Sequence, residues 1–220
     1  MSSLSVTAII INFQTPDLTR RAVTSFRSFY PSLPLLVIDN GSTGDTPGLL
    51  RQITADAGGP TDILFNSTNV HHGPAMDQAL RHITTDFALF LDSDCEVLAR
   101  GFVEHMVASL HETDRHYAAG KTIFMNDRGF DVPRSATAHP YIRPICMMVK
   151  RNLYLGLPPF QKHGAPCLDN MVAATDAGFT LVDVPIEEHI RHQGRGTAGR
   201  FGYRLGWKGR MNHLLNRLGL

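Results

Sequence analysis

The segment Val6-Thr7-Ala8-Ile9-Ile10-Ile11 is an unbroken run of β-branched and apolar residues that ends at Asn12. A strand covered on one face alternates apolar with polar residues. A run without alternation belongs to a strand covered on both faces, as in a parallel sheet held between helices. Three shorter apolar runs follow, Leu35–Ile38, Asp62–Phe65 and Phe87–Leu91. The stretches between them carry helical spacing. Pro16 and Asp17 open the first, with Thr15 as the expected N-cap. Its residues Leu18, Ala22, Val23, Phe26 and Phe29 share one face, and Pro31 and Pro34 close it. Helices are also predicted over Thr46–Ala57 and Pro74–Ile83. Strands alternating with helices of this length specify an α/β chain, with a central, mostly parallel sheet flanked by helices.

The second half is less periodic. The pattern predicts a helix over Phe102–Leu110, a strand over Tyr117–Phe124, an apolar segment over Ile145–Val149, a helix over Cys167–Ala177 and a strand over Thr180–Val184. Met125–Arg143 is rich in Gly, Pro, Asp and Arg and reads as one long loop. With 220 residues, 43% hydrophobic and 19% charged, the chain can bury a core without disulfides. One domain over 1–220 is expected, with a ligand-binding half over 1–100, a second half over 101–198 and a basic segment over 199–220.

Net charge is only +1, yet no acidic residue follows Glu188, while Arg191, Arg195, Arg200, Arg204, Lys208, Arg210 and Arg217 do. From Trp207, the residues Met211, Leu214, Leu215 and Leu218 fall on one helical face among basic neighbours. Such a helix docks on an anionic membrane surface or packs on the protein's own core. Cys95, Cys146 and Cys167 are odd in number and widely spaced, which supports neither a zinc site nor a disulfide framework. Free thiols in a reducing cytoplasm are expected, together with a peripheral membrane contact. No signal peptide precedes Val6, and no apolar run approaches the roughly 20 residues that span a bilayer.

In doubly wound sheets ligands gather at the carboxyl ends of the strands, where Asn12, Asp39 and Asp92 fall. Asp92-Ser93-Asp94 sets two carboxylates one residue apart after a buried strand, a spacing that suits a hard divalent cation such as Mn²⁺ or Mg²⁺. A solvated turn is the plain alternative. Asp39-Asn40-Gly41-Ser42-Thr43 offers a carboxylate to a base or ribose edge, or forms an Asx-type turn. His71-His72 reads as part of a polar loop. No Gly-x-Gly-x-x-Gly follows the first strand, which argues against dinucleotide-dependent redox chemistry.

Four segments, Ile9–Phe13, Leu36–Thr43, Asn69–Ala79 and Phe90–Asp94, resemble in order and spacing the motifs of family 2 glycosyltransferases. The resemblance covers residues 6 to about 100 and continues more weakly to about His192. It implies a Rossmann-like GT-A fold and a nucleoside diphosphate sugar as donor, with a UDP-sugar expected. Asn12, Phe13 and Thr15 would flank the base and Asp39 would hydrogen-bond it. Asp92, Ser93 and Asp94 would hold the diphosphate through Mn²⁺ or Mg²⁺, with His192 facing the metal. Asp169, in Leu168-Asp169-Asn170, matches the family's catalytic base, with Glu187 and Glu188 as fallbacks.

The chain departs from the family pattern at Asn40, where many members carry an acid, and at Met76, where they carry Arg. The acid preceding the base is replaced by Leu168. The implied reaction is inverting transfer to a glycan or lipid-linked sugar acceptor, with no nucleic-acid partner. A retaining transferase and a catalytically inactive nucleotide-binding protein are the alternatives left open.

Overall fold

The computed structural model describes residues 5–161 and 164–193. The basic segment over 199–220, and with it the expected membrane-docking helix, lies outside the described residues. Among the described residues no helix is long and apolar enough to cross a membrane.

The first half alternates as the periodicity requires: β1 (Val6–Asn12), α1 (Pro16–Phe29), β2 (Leu35–Asp39), α2 (Thr46–Asp56), β3 (Thr61–Phe65), α3 (His72–His82) and β4 (Phe87–Asp92). These four strands run parallel to one another. Then come β5 (Cys95–Val97), α4 (Phe102–His111), β6 (His116–Met125), β7 (His139–Lys150), α5 (Arg151–Tyr154), α6 (Leu168–Asp176), β8 (Thr180–Asp183) and β9 (Ile190–His192). Seven strands form one sheet in the order β3-β2-β1-β4-β7-β6-β8, and β5 pairs with β9 apart from it. Only β7 runs against its neighbours β4 and β6.

The unbroken composition of β1 has a direct cause. Val6, Ala8 and Ile10 enter one apolar layer with Phe26, Leu50 and Met106, while Ile9 and Ile11 enter the other with Met76, Leu80 and Phe160. Both faces of the strand are covered, so its side chains are apolar except where a polar one finds a buried partner, as the Thr7 hydroxyl does with that of Thr85.

Thr15 occupies the N-cap position of α1 but makes no side-chain cap bond. Asn12 ties the start of the helix to the end of β1: its Oδ1 accepts the Thr15 N–H at 3.3 Å and the Thr19 hydroxyl at 2.8 Å. α3 begins at His72, two residues before the predicted start at Pro74. Pro is tolerated there because first-turn N–H groups have no intrahelical acceptor.

The long loop predicted over Met125–Arg143 is corrected. β6 runs to Met125 and β7 starts at His139, so the irregular stretch is 126–138. Pro140 belonged to the loop signal, yet it and Pro144 both lie in β7. Gly120 pairs with Met147 and Thr122 with Ile142, so a single residue of β6 faces Arg143–Cys146. This bulge lifts Arg143, Pro144 and Ile145 out of the ladder, where Pro144 needs no N–H to donate. Gly120 is required at that point, because a Cβ there would lie 2.7 Å from the Cys146 carbonyl oxygen.

All three cysteines are free and buried, and burial pushes each thiol well above its ordinary range. Reactivity follows the exposed thiolate. Ellman's reagent is therefore expected to react negligibly with the native protein and fully after guanidinium unfolding; a fast native-state thiol would contradict this burial.

Candidate active site

β4 leaves the sheet at Asp92, and the chain turns through Ser93 and Asp94 into β5. β9 pairs antiparallel with β5, setting Cys95 against His192. That pairing brings His192 Nε2 to 3.1 Å from Asp94 Oδ1. Ligand atoms of Asp92, Asp94 and His192 all lie within 4.8 Å of one another. Burial pushes the Asp92 carboxyl up, the His72 and His192 imidazoles pull it down, and Asp94 adds to the rise. The hydrogen bond to Asp94 raises His192. Two carboxylates and an imidazole form a donor set that suits Mn²⁺ well and Mg²⁺ through its oxygens.

At the ends of β1 and β2 the polar groups turn inward. Asn12 is fully buried, and its Nδ2 donates to Asp39 Oδ1 at 3.0 Å and to Ser42 Oγ at 3.1 Å. Asp39 is 1% exposed. Asn40 is the hub of a second network. Its Nδ2 donates to Asn69 Oδ1 and the His71 carbonyl, and its Oδ1 accepts from Asn66 Nδ2 and the Val70 N–H.

This network holds His71 at φ 73°, a left-handed conformation that non-glycine residues rarely adopt. His72 then starts α3 with its Nε2 3.7 Å from Asp92 Oδ1. The polar-loop reading of His71-His72 is thus corrected: His72 is helical and faces the site. Asp77 turns away, to Arg81 and the Tyr154 hydroxyl.

A cavity of about 470 Å³ opens over these strand ends. Phe13, Asn40, Asn69 and His72 line one part of it, and Asp92, Ser93, Asp94 and His192 another. Met125, Gly129, Asp131, Tyr141 and the bulge Arg143–Ile145 complete the wall, with Gly164 and Pro166 from the approach to α6. Asn12, Thr15 and Asp39 are not among the lining residues; they lie buried behind Phe13 and Asn40 in sequence and support them.

Asp169 lies on the exposed first turn of α6, outside the lining, although the approach to α6 takes part in it. Leu168 is buried in the core beside Met171, which explains an apolar residue there. Glu187 is exposed and pairs with Lys121, and Glu188 is exposed; neither lines the cavity. Asp131 and Arg143, paired with each other, do line it. No local pattern marks them, because one comes from an irregular loop and the other from the bulge.

Several solved structures share this architecture. The mannosyltransferase PcManGT from Pyrobaculum calidifontis, in complex with GDP-Man and Mn²⁺, superposes with a TM-score of 0.65 at 20% identity, over 82% of this chain and 55% of that one. GalNAc-T7 with UDP, GalNAc and Mn²⁺ gives 0.68 at 15% identity, over 86% and 44%. TarS of S. aureus with UDP-GlcNAc gives 0.60 at 16% identity, over 86% and 59%. The chain spans about half the length of these structures, and the likeness is one of fold: a GT-A glycosyltransferase fold. No curated protein matches the sequence. Residues 7–172 match the model of glycosyl transferase family 2, and the chain belongs to that family.

Proposed function

We propose that this chain is a metal-dependent glycosyltransferase that moves a sugar from a nucleoside diphosphate sugar to an acceptor hydroxyl with inversion. The observation that carries this reading is the convergence of Asp92, Asp94 and His192 at a cavity above the parallel strands, in a chain of this family. The nucleotide complexes of similar fold, two of them with Mn²⁺, support the donor class and the metal. A UDP-sugar is the first donor to test, and a glycan or lipid-linked sugar the expected acceptor.

Asp92, Asp94 and His192 would hold Mn²⁺ or Mg²⁺. When bound, the ion supplies positive charge to the diphosphate as it becomes the leaving group. Phe13 offers an apolar face to the nucleoside, on a loop secured by Asn12, Thr15, Asp39 and Ser42. Ser93 lines the cavity between the two carboxylates, within reach of a sugar or ribose hydroxyl. The acceptor oxygen attacks the anomeric carbon from the face opposite the diphosphate. The new C–O bond forms as the old one breaks, its electron pair leaves with the nucleoside diphosphate, and the acceptor proton passes to a base, a role the family resemblance gives to Asp169, which lies three residues beyond the cavity-lining Pro166. Residues 1–100 carry the donor side of this scheme and 101–198 the acceptor side.

A panel of nucleotide sugars, assayed for nucleoside diphosphate release with Mn²⁺ and with chelator, tests the whole reading. Release from none of them under any metal condition would reject it and favour an inactive nucleotide-binding protein; product with retained anomeric configuration would reject inversion. Asp169→Asn is expected to lower kcat by about 10²–10⁴-fold with donor affinity little changed. Retention of more than about a tenth of kcat would move the base elsewhere, and Asp131 would then be tested first, as a carboxylate that lines the cavity itself.

A further inference from the structure

The cavity wall holds one ion pair that the scheme above does not use. Arg143 and Asp131 face each other through Arg143 Nη2 and Asp131 Oδ2. Both line the cavity, yet both side chains keep substantial exposure, 42% and 57%. Their backbones are held separately. Asp131 sits in the 126–138 stretch, where it bridges to Met125, and Gly129 leaves too little room for a Cβ against Ala165. Arg143 belongs to the bulge of β7, which projects it from the sheet beside the end of β4.

Among the described residues that line the cavity, Arg143 is the one Lys or Arg. It shares that lining with Asp92, Asp94 and His192. A nucleoside diphosphate brings two phosphates to that cluster, and one divalent ion held by two carboxylates leaves the anionic ligand undercompensated. A planar guanidinium matches phosphate oxygens in two-point contact better than it matches an exposed, water-competed carboxylate.

From this geometry we infer that Arg143 exchanges partners: it pairs with Asp131 in the free enzyme and moves to the donor's diphosphate when the nucleotide binds, which releases the Asp131 carboxylate into the acceptor side of the cavity. The inference rests on the nucleoside diphosphate reading of the cavity. Asp131 then competes with the donor for one cation, and the donor's arrival makes a hydrogen-bond acceptor available for an incoming sugar hydroxyl.

The exchange has a sign that a purely structural ion pair lacks. Titration calorimetry of full-length protein in Mn²⁺, with UDP, GDP, ADP, CDP and dTDP as probes, identifies the nucleotide that binds the wild type. Arg143→Gln is expected to weaken that nucleotide about 10- to 100-fold, as loss of a charge-assisted contact does. Asp131→Asn, which removes the competitor, is expected to tighten it by about two- to fivefold. In the Arg143→Gln background, Asp131→Asn is expected to have no further effect.

Unchanged affinity in Arg143→Gln, or unchanged or weaker affinity in Asp131→Asn, overturns the exchange while leaving the donor reading intact. A wild-type protein that binds none of the five nucleotides overturns both. Far-ultraviolet circular dichroism and melting of each variant identify loss of fold; if Arg143→Gln fails to fold, the Asp131→Asn result alone decides.

Discussion

Asp94→Ala is expected to abolish transfer. Asp94 is 8% exposed and lies at the junction of all the parts of the candidate metal centre: its Oδ1 meets His192 Nε2, and its backbone carbonyl accepts the Gln193 N–H. Removing the carboxylate takes away a metal ligand and the group that orients His192. A divalent ion contributes several kcal/mol to a departing diphosphate, and each 1.36 kcal/mol is tenfold in rate, so a loss of about 10³-fold or more is expected. The measurement is the initial rate of nucleoside diphosphate release across a Mn²⁺ titration, with Asp94→Asn as a near-isosteric companion to separate charge from packing. Wild-type rates in excess chelator, or full activity in either variant, would remove the metal from the scheme.

The second large effect is expected at a glycine that does not itself line the cavity. Gly41→Ala should destabilise the protein by about 2–5 kcal/mol, combining the cost of a left-handed residue with overpacking against backbone. Gly41 has φ +77°, and a Cβ there would lie 2.2 Å from the Thr68 carbonyl carbon and 2.4 Å from the Asn69 nitrogen. Backbone cannot rotate aside as a side chain can. The 66–71 loop would have to retreat, and with it the Asn40 network that carries Asn69 and sets the entry to His72. For a domain of this size each kcal/mol moves Tm by about 2–4 °C, so a fall of about 5–20 °C is expected, with weakened nucleotide binding. A variant that melts and binds like wild type would show that the loop has room to move.

The first half of the fold was legible because each signal was local. β1 had to be covered on both faces, and the helix after it carried its own start and stop. Asp92 and Asp94 stood out from an ordinary solvated turn because the pair directly follows a buried strand and falls in register with the other family motifs. His192 was reached only through family resemblance, since β9 is three residues long and its partner β5 lies almost 100 positions earlier. The second half misled where proline was read as punctuation. Pro140 and Pro144 sit in an interior strand whose bulge, visible only once β6 is paired with it, removes Pro144 from the ladder. His72 was noticed but read as loop, and Asp131 and Arg143 were not singled out, because tertiary structure aims all three. Asp39 was expected at the donor and is instead buried against Asn12.

The β5–β9 pair sets the timing of the site as well as its shape. Two of the proposed ligands directly follow or end β4, while the third comes in the chain only after α4, β6, β7, α5, α6 and β8. A contact across that much sequence forms late, because loop closure must be met before the pairing gives anything back. An ion held by all three would therefore favour the closed chain over any partly folded form, adding stability in proportion to the logarithm of its concentration above Kd. A metal bound by all three residues would thus tie the docking of β9 to the same ion that serves the proposed reaction.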